Sequence, residues 1–255
     1  MANSLSPDKQ AVQKFFTEDV EHYAQLFHSK RTGNNFTFRR RLELALELSS
    51  GLSGNFLDCA CGTGEITAAL LGTGRFQHAT LLDLSPRMIE AAQDRVRQEQ
   101  RAPAPERIRF ATSDVFAFLA SEPPGRYDLI ACLGLIAHTG RLAELLNGLR
   151  RMLLPGGGIL LQSTVLDHWG TKVTRALTAE RYFRRHGYRI AYYELKDLEQ
   201  AIRGAGLTAK ISRRFGVGLP LADRCWSWGN FQVECRGQRW AERHGSEIIY
   251  LLTQP

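Results

Sequence analysis

The residues with chemistry to offer cluster in Asn55-Phe-Leu-Asp-Cys-Ala-Cys-Gly-Thr-Gly-Glu-Ile-Thr67, followed by Asp83 at the end of His78-Ala-Thr-Leu-Leu-Asp83. An apolar strand that runs into an acidic, glycine-containing turn and opens a helix can cradle a nucleotide-type cofactor. A second strand ending in a carboxylate about 20 residues later supplies a partner for ribose hydroxyls. A dinucleotide site requires Gly-x-Gly-x-x-Gly, whose third glycine admits close helix–strand packing. Here Ala60, Gly62 and Gly64 alternate and position 67 is Thr. The turn lacks the dinucleotide spacing, and its glycines let the backbone close around a ligand that need not carry phosphate. Further along, His138 in Leu135-Ile-Ala-His-Thr-Gly140 can take a proton near neutral pH, or it can brace the next helix.

The elements that must hold these residues show in the apolar pattern. Strand-like runs at Asn55–Cys59, His78–Leu82, Ile108–Thr112, Tyr127–Leu133 and Gly158–Val165 alternate with helical stretches near Glu65–Leu71, Pro86–Gln98, Val115–Ala120 and Leu142–Leu153. Such alternation predicts an α/β fold with a mainly parallel sheet and helices on both faces, its ligand at the carboxyl ends of the strands. A helix at Lys196–Arg203 and strands at Thr208–Phe215 and Glu247–Thr253 complete the core. Two helices are predicted across residues 8–48, split at Ser29–Asn35. The divisions are a helical N-terminal cap (1–50), a cofactor-binding core (51–165), a cap insertion (166–194) and a C-terminal part of the core (195–255) that contains an irregular, Trp-rich insertion (216–246).

Composition sets outer bounds. Apolar residues make up 44% and charged residues 23% of the 255 positions. No apolar run approaches the ~20 residues that span a bilayer. The first residues lack a basic region followed by an apolar core, so a cytoplasmic location is expected. Cys59, Cys61, Cys132, Cys225 and Cys235 are odd in number and fit no pair of metal-binding knuckles, so no metal is expected. Cys59-x-Cys61 reads as small-residue packing beside the turn. A net charge of +7 permits an anionic small substrate, nucleic acid or an anionic membrane surface as partner.

Five segments in order resemble the class I S-adenosylmethionine-dependent methyltransferases from Asn55 to about Thr253. They are Leu57–Gly64, Leu82-Asp-Leu-Ser-Pro-Arg-Met88, Ser113-Asp114, Tyr127–Leu133 and Leu153-Leu-Pro-Gly-Gly-Gly158. Ala60 stands where that family usually has glycine. The resemblance implies a Rossmann-like, seven-stranded, mainly parallel sheet with an antiparallel last strand and a helical or irregular cap. It implies S-adenosyl-L-methionine as cofactor and its demethylated homocysteine form as product. Asp58, Ala60, Gly62 and Gly64 would line the methionine moiety, and Asp83 would accept from both ribose hydroxyls. Asp114 would accept from the adenine amine, with Met88 and Val115 beside the ring, and Leu84 would also be among the cofactor-binding residues. Cys132 and Leu133 would face the reactive side, and Tyr23, His28 and Arg31 would close over the cofactor. Asp83 and Asp114 can alternatively cap the helices that follow them.

The segment after the fourth strand bears on the acceptor. Methylation of nucleobase amines goes with an Asn/Asp-Pro-Pro-aromatic tetrapeptide in this family, and Cys132-Leu-Gly-Leu135 does not match it. Cys132 follows Ala131 rather than proline and reads as packing, not as the nucleophile of pyrimidine-carbon methylation. The layout around His138 is loosely similar to ubiquinone-biosynthesis-type and magnesium-protoporphyrin-type O-methyltransferases, with His138 as the catalytic candidate. The expected acceptor is a small molecule, anionic or aromatic, methylated on oxygen. Lys172, Arg175, Arg181, Tyr182, Arg184, Arg185, Tyr188 and Arg189, with Trp226, Trp228 and Trp240, suit such a substrate or form ordinary cap surface. N- or C-methylation, an RNA methyltransferase and a non-catalytic binding module stand as alternatives.

Overall fold

The computed structural model describes residues 6–28, 32–99, 103–220 and 222–255. Three helices precede the first strand: α1 (Pro7–Glu18), α2 (Val20–His28) and α3 (Gly33–Leu48). The sequence predicts only two, because apolar spacing continues across Asp19. That residue leaves the helical region (φ −102°, ψ 12°) and turns the chain between α1 and α2. Then come β1 (Gly54–Cys59), α4 (Glu65–Leu71), β2 (Phe76–Asp83), α5 (Pro86–Arg97), β3 (Ile108–Thr112), α6 (Val115–Ser121) and β4 (Tyr127–Leu133). A single turn, α7 (Ile136–Thr139), leads to α8 (Leu142–Met152), β5 (Leu153–Thr164), α9 (Trp169–His186) and α10 (Leu195–Gly204). The chain closes with β6 (Thr208–Phe215), α11 (Ala222–Arg236), α12 (Gln238–His244) and β7 (Glu247–Thr253).

The seven strands form one sheet in the order β3-β2-β1-β4-β5-β7-β6. All pairs are parallel except those of β7, which runs antiparallel to β5 and β6. The side-chain period of two divides the core. Leu57, Cys59, Ile130, Cys132, Ile159 and Leu161 face α6, α8 and α10 on one side. Phe56, Leu129, Ala131 and Leu160 face α3, α4 and α5 on the other. With both faces covered, the central strands read as continuous apolar runs, as parallel strands do. The order reverses between β1 and β4, which opens the crevice where such sheets take a ligand.

A second expectation is corrected. Residues 216–246, predicted to be irregular, form α11 and α12. Gly229 and a kink at Trp226 (φ −154°, ψ 58°) break the periodicity that would have announced α11. Much of the cap insertion 166–194 is the single helix α9, ended by Gly187 in the left-handed region. The Pro155–Gly158 turn lies inside β5 as a bulge, since pairing passes from Tyr127↔Leu153 directly to Leu129↔Gly158.

The β1–α4 turn places its backbone unusually. Ala60, Gly62 and Gly64 all have positive φ (67°, 54° and 83°). The Ala60 and Cys61 amides donate to the Leu82 carbonyl at 2.8 and 2.9 Å, which anchors the turn to the end of β2. A left-handed conformation costs an alanine about 1–2 kcal/mol, whereas glycine adopts it freely but loses roughly 0.5–1 kcal/mol of chain entropy on folding. Ala60→Gly should therefore stabilise the protein by up to about 1 kcal/mol, read as a higher urea midpoint with an unchanged slope.

Candidate active site

Four loops meet at the carboxyl ends of β1, β2, β3 and β4. Asp83, buried at the end of β2, accepts from the Gly62 amide at 3.0 Å through one oxygen and from the Ser85 amide at 2.9 Å through the other. Each carboxylate oxygen can accept twice, so acceptor capacity remains for two further donors. Burial pushes the Asp83 carboxyl above its ordinary range, and the Ser85 and Gly62 amides oppose that shift. Ser85, not Asp83, caps α5, with its hydroxyl accepting from the Met88 amide. Leu84 lies between them, and Met88 is fully buried on the first turn of α5.

Asp58 sits one residue before the end of β1 and accepts from the Thr67 hydroxyl at 2.5 Å, fastening α4 to the strand. Burial, with the nearby charges of Asp83 and Glu65, raises its carboxyl to about 7 against the help of Thr67. Glu65 pairs with Arg95 at 3.1 Å. Three carboxylates thus surround the glycine turn. Tyr23 covers the turn from above, since a Cβ on Gly62 would stand 2.8 Å from its ring. Arg31 and the side chain of His28, also expected there, lie outside the described residues.

Asp114 caps α6, accepting from the Phe116 and Ala117 amides at 3.2 Å each, and its other oxygen pairs with Lys9 at 2.8 Å. That ion pair is one of three contacts along a single face of α1. Gln13 donates to the Leu84 carbonyl at 2.9 Å, and the Thr17 and Ser85 hydroxyls share a hydrogen bond of 2.9 Å. Positions 9, 13 and 17 recur at helical spacing, so α1 lies across the loops after β2 and β3. The apolar pattern of the sequence does not announce this contact, although the four-residue polar spacing carries it.

At the end of β4, Cys132 and Leu133 are buried. Burial raises the Cys59, Cys61 and Cys132 thiols, so all three remain protonated. A protonated Cys132 is no nucleophile. Beyond it, the His138 Nδ1 is buried with no hydrogen-bond partner. Desolvation, reinforced by the charge of Arg41, lowers this imidazole to about 4, so it is neutral at physiological pH. Its ring lies between Phe16 (5.0 Å, perpendicular) and Tyr188 (5.7 Å). The aromatic wall continues from Phe16 to Tyr23 at 6.3 Å and on to Phe38 at 5.6 Å.

Arg41, on α3, is a functional candidate that the motifs do not reveal. It is 9% exposed, and its Nε has no partner. Its guanidinium lies over the Phe38 ring at 4.7 Å. A Cβ on Gly134, whose φ is +81°, would stand 3.3 Å from Arg41 Nη1 and 4.0 Å from Gln162 Oε1, itself buried and unpartnered. Glycine at 134 keeps that space clear. The nearby charge of Arg41 opposes the rise that burial imposes on the Glu247 carboxyl, to which Gln162 donates, and a buried guanidinium beyond ion-pair distance of a carboxylate still favours an added anion. The arginines of α9 do not gather here: Arg181, Arg184 and Arg185 are exposed, while Tyr182 and Tyr188 pack against Phe15 of α1.

These residues fit a ligand that carries a ribose, a cationic centre and a carboxylate. Asp83 has acceptors to spare, Asp58 and Asp83 favour positive charge, and Arg41 keeps an unpartnered Nε although its charge reaches Glu247. Comparison with known proteins agrees. A family model described as a methyltransferase domain matches residues 27–210. The chain is 34% identical over 107 residues to a malonyl-[acyl-carrier protein] O-methyltransferase of Paenibacillus sp., covering 41% of this chain and only 36% of that relative's length. It is 27% identical over 189 residues to a ubiquinone biosynthesis O-methyltransferase of Leptothrix cholodnii, covering 71% and 76%. Among solved structures it superposes on a Thermotoga maritima S-adenosylmethionine-dependent methyltransferase, described as a possible histamine N-methyltransferase, with a TM-score of 0.64 at 15% identity, covering 95% of this chain and 99% of that one. The chain spans only 36% to 59% of the length of the first curated relatives it matches, and it belongs to the class I S-adenosylmethionine-dependent methyltransferase family.

Proposed function

We propose that the protein methylates an oxygen of a small aromatic or anionic acceptor, with His138 taking the acceptor proton. The carrying observation is the neutral, orphaned Nδ1 of His138, set in an aromatic wall at the end of β4. When bound, the cofactor supplies a methyl group on a positively charged sulfur. The chain's own residues align the acceptor, exclude water and manage one proton. Phe16, Tyr23 and Tyr188 suit a planar ring, which would present its hydroxyl to His138. The hydroxyl proton becomes strongly acidic as the oxygen gains its methyl group, so an imidazole near 4 is basic enough to receive it.

Asp83 is the proposed partner of the ribose hydroxyls. Asp114 would share its outer oxygen between Lys9 and the adenine amine. Ala60, Gly62 and Gly64 present backbone to the methionine end, with Leu84, Met88 and Val115 beside the adenine and Cys132 and Leu133 below the methyl group. Arg41 is the proposed counter-charge to the methionine carboxylate, and Asp58 favours the nearby cations.

Three outcomes follow. Arg41→Gln should weaken binding of S-adenosylhomocysteine by about tenfold to a hundredfold while leaving 5′-methylthioadenosine, which lacks the amino-acid end, unaffected in calorimetry. His138→Ala should lower kcat by ~10²–10⁴ on hydroxylated aromatic acceptors, with S-adenosylhomocysteine affinity unchanged. Turnover of amines alone in a panel of phenols, carboxylic acids and amines would reject the oxygen assignment. Affinity for S-adenosylmethionine should rise about tenfold between pH 6 and 8, because a cation binds better once Asp58 ionises through a pKa of about 7. Asp58→Asn should flatten that profile. For folding the sign is opposite, since a raised carboxyl pKa removes stability as pH climbs toward 7.

A further inference from the structure

Among the described residues, the exposed large apolar side chains are Trp169, Val173, Leu177, Trp226, Trp228 and Trp240, and all six lie in the two insertions outside the sheet. On α9, Trp169, Val173 and Leu177 recur every four residues. At ~100° per residue they form one stripe about 80° wide along the solvent side. Trp240 of α12 extends it, because the His168 ring lies 5.8 Å from Trp169 and 6.0 Å from Trp240. Contiguous exposed apolar surface of this kind marks an interaction site.

The charges around the stripe identify the partner. Helix α9 carries five Lys or Arg against one Glu. Lys172, Arg181 and Arg185 on it, with Arg239 and Arg243 beside Trp240, make no ion pair among the described residues. A second copy of the chain would set these cations against each other across a two-fold axis. A nucleic-acid backbone would neutralise them but leave the Trp–Val–Leu stripe in water. We infer that this face docks on an anionic lipid bilayer, with the stripe at the acyl boundary and the cations among the headgroups. Helix α9 leaves the carboxyl end of β5, and α12 enters β7 at the same sheet edge, so the docked face adjoins the acceptor side of the site.

The test is vesicle co-sedimentation of the full chain, using phosphatidylcholine vesicles and the same vesicles containing phosphatidylglycerol. The expected result is binding to the anionic vesicles alone, weakened at high salt, with a blue shift of tryptophan emission in the wild-type protein. The combined substitution Trp169→Ser and Leu177→Ser should weaken binding by about tenfold or more, with circular dichroism and Tm unchanged. Lys172→Glu with Arg181→Glu should abolish the preference for anionic lipid. Absence of binding, or equal binding by the Trp169→Ser/Leu177→Ser variant, would overturn the inference. So would a solution dimer dispersed by those same substitutions, or equal binding to polyglutamate that ignores them.

Discussion

The arrangement of the site depends on Asp83. Its two side-chain oxygens hold the amides of Gly62 and Ser85, and its carbonyl accepts from the Ser113 amide at 3.0 Å. One residue therefore ties the loop after β1, its own loop and the loop after β3 into a single rim. The strained conformation at Ala60 is held by the same strand end, through the Leu82 carbonyl. Replacement by alanine at position 83 would release the side-chain ties to Gly62 and Ser85 together, while the main-chain contact to Ser113 would remain.

Electrostatics gives the rim its selectivity. Burial makes ionisation of Asp58 and Asp83 costly, so a cationic ligand relieves carboxylates that water cannot reach. Arg41, on α3 beside Gly134, carries the opposite charge, which Glu247 answers only from beyond ion-pair distance. A ligand with positive sulfur and nitrogen at one point and a carboxylate at another answers both. A neutral nucleoside answers neither. The asymmetry of charge, more than the glycine pattern, separates this cradle from one built for a pyrophosphate, where backbone amides and a helix terminus would carry the recognition.

Much of the sheet is legible in the amino-acid sequence. The runs Tyr127–Leu133 and Glu247–Thr253 match their strands because buried strands leave unbroken apolar stretches, and Ile108–Thr112 and Thr208–Phe215 match as well although they form the partly exposed edges of the sheet. Helix α11 is not legible, since the Trp226 kink and Gly229 remove its period. Arg41 is hidden for a different reason. It is one of three consecutive arginines, and only the angular position of α3 decides that Arg40 pairs with Glu43 in solvent while Arg41 turns inward. Asp114 is readable as a cap or as a ligand group. The structure shows the cap and the Lys9 ion pair, so both oxygens have protein partners.

Helix α1 crosses from the loop after β2 to the loop after β3 on three polar contacts, each worth about 1 kcal/mol in net terms, and Phe15 and Phe16 seat its other face against Tyr188 and His138. With the adenosine end placed between Asp83 and Asp114, as proposed, spent cofactor cannot leave along that edge until the helix lifts. Sensitivity to product inhibition would then be set at Lys9, Gln13 and Thr17, residues that take no part in the chemistry and can vary without disturbing it.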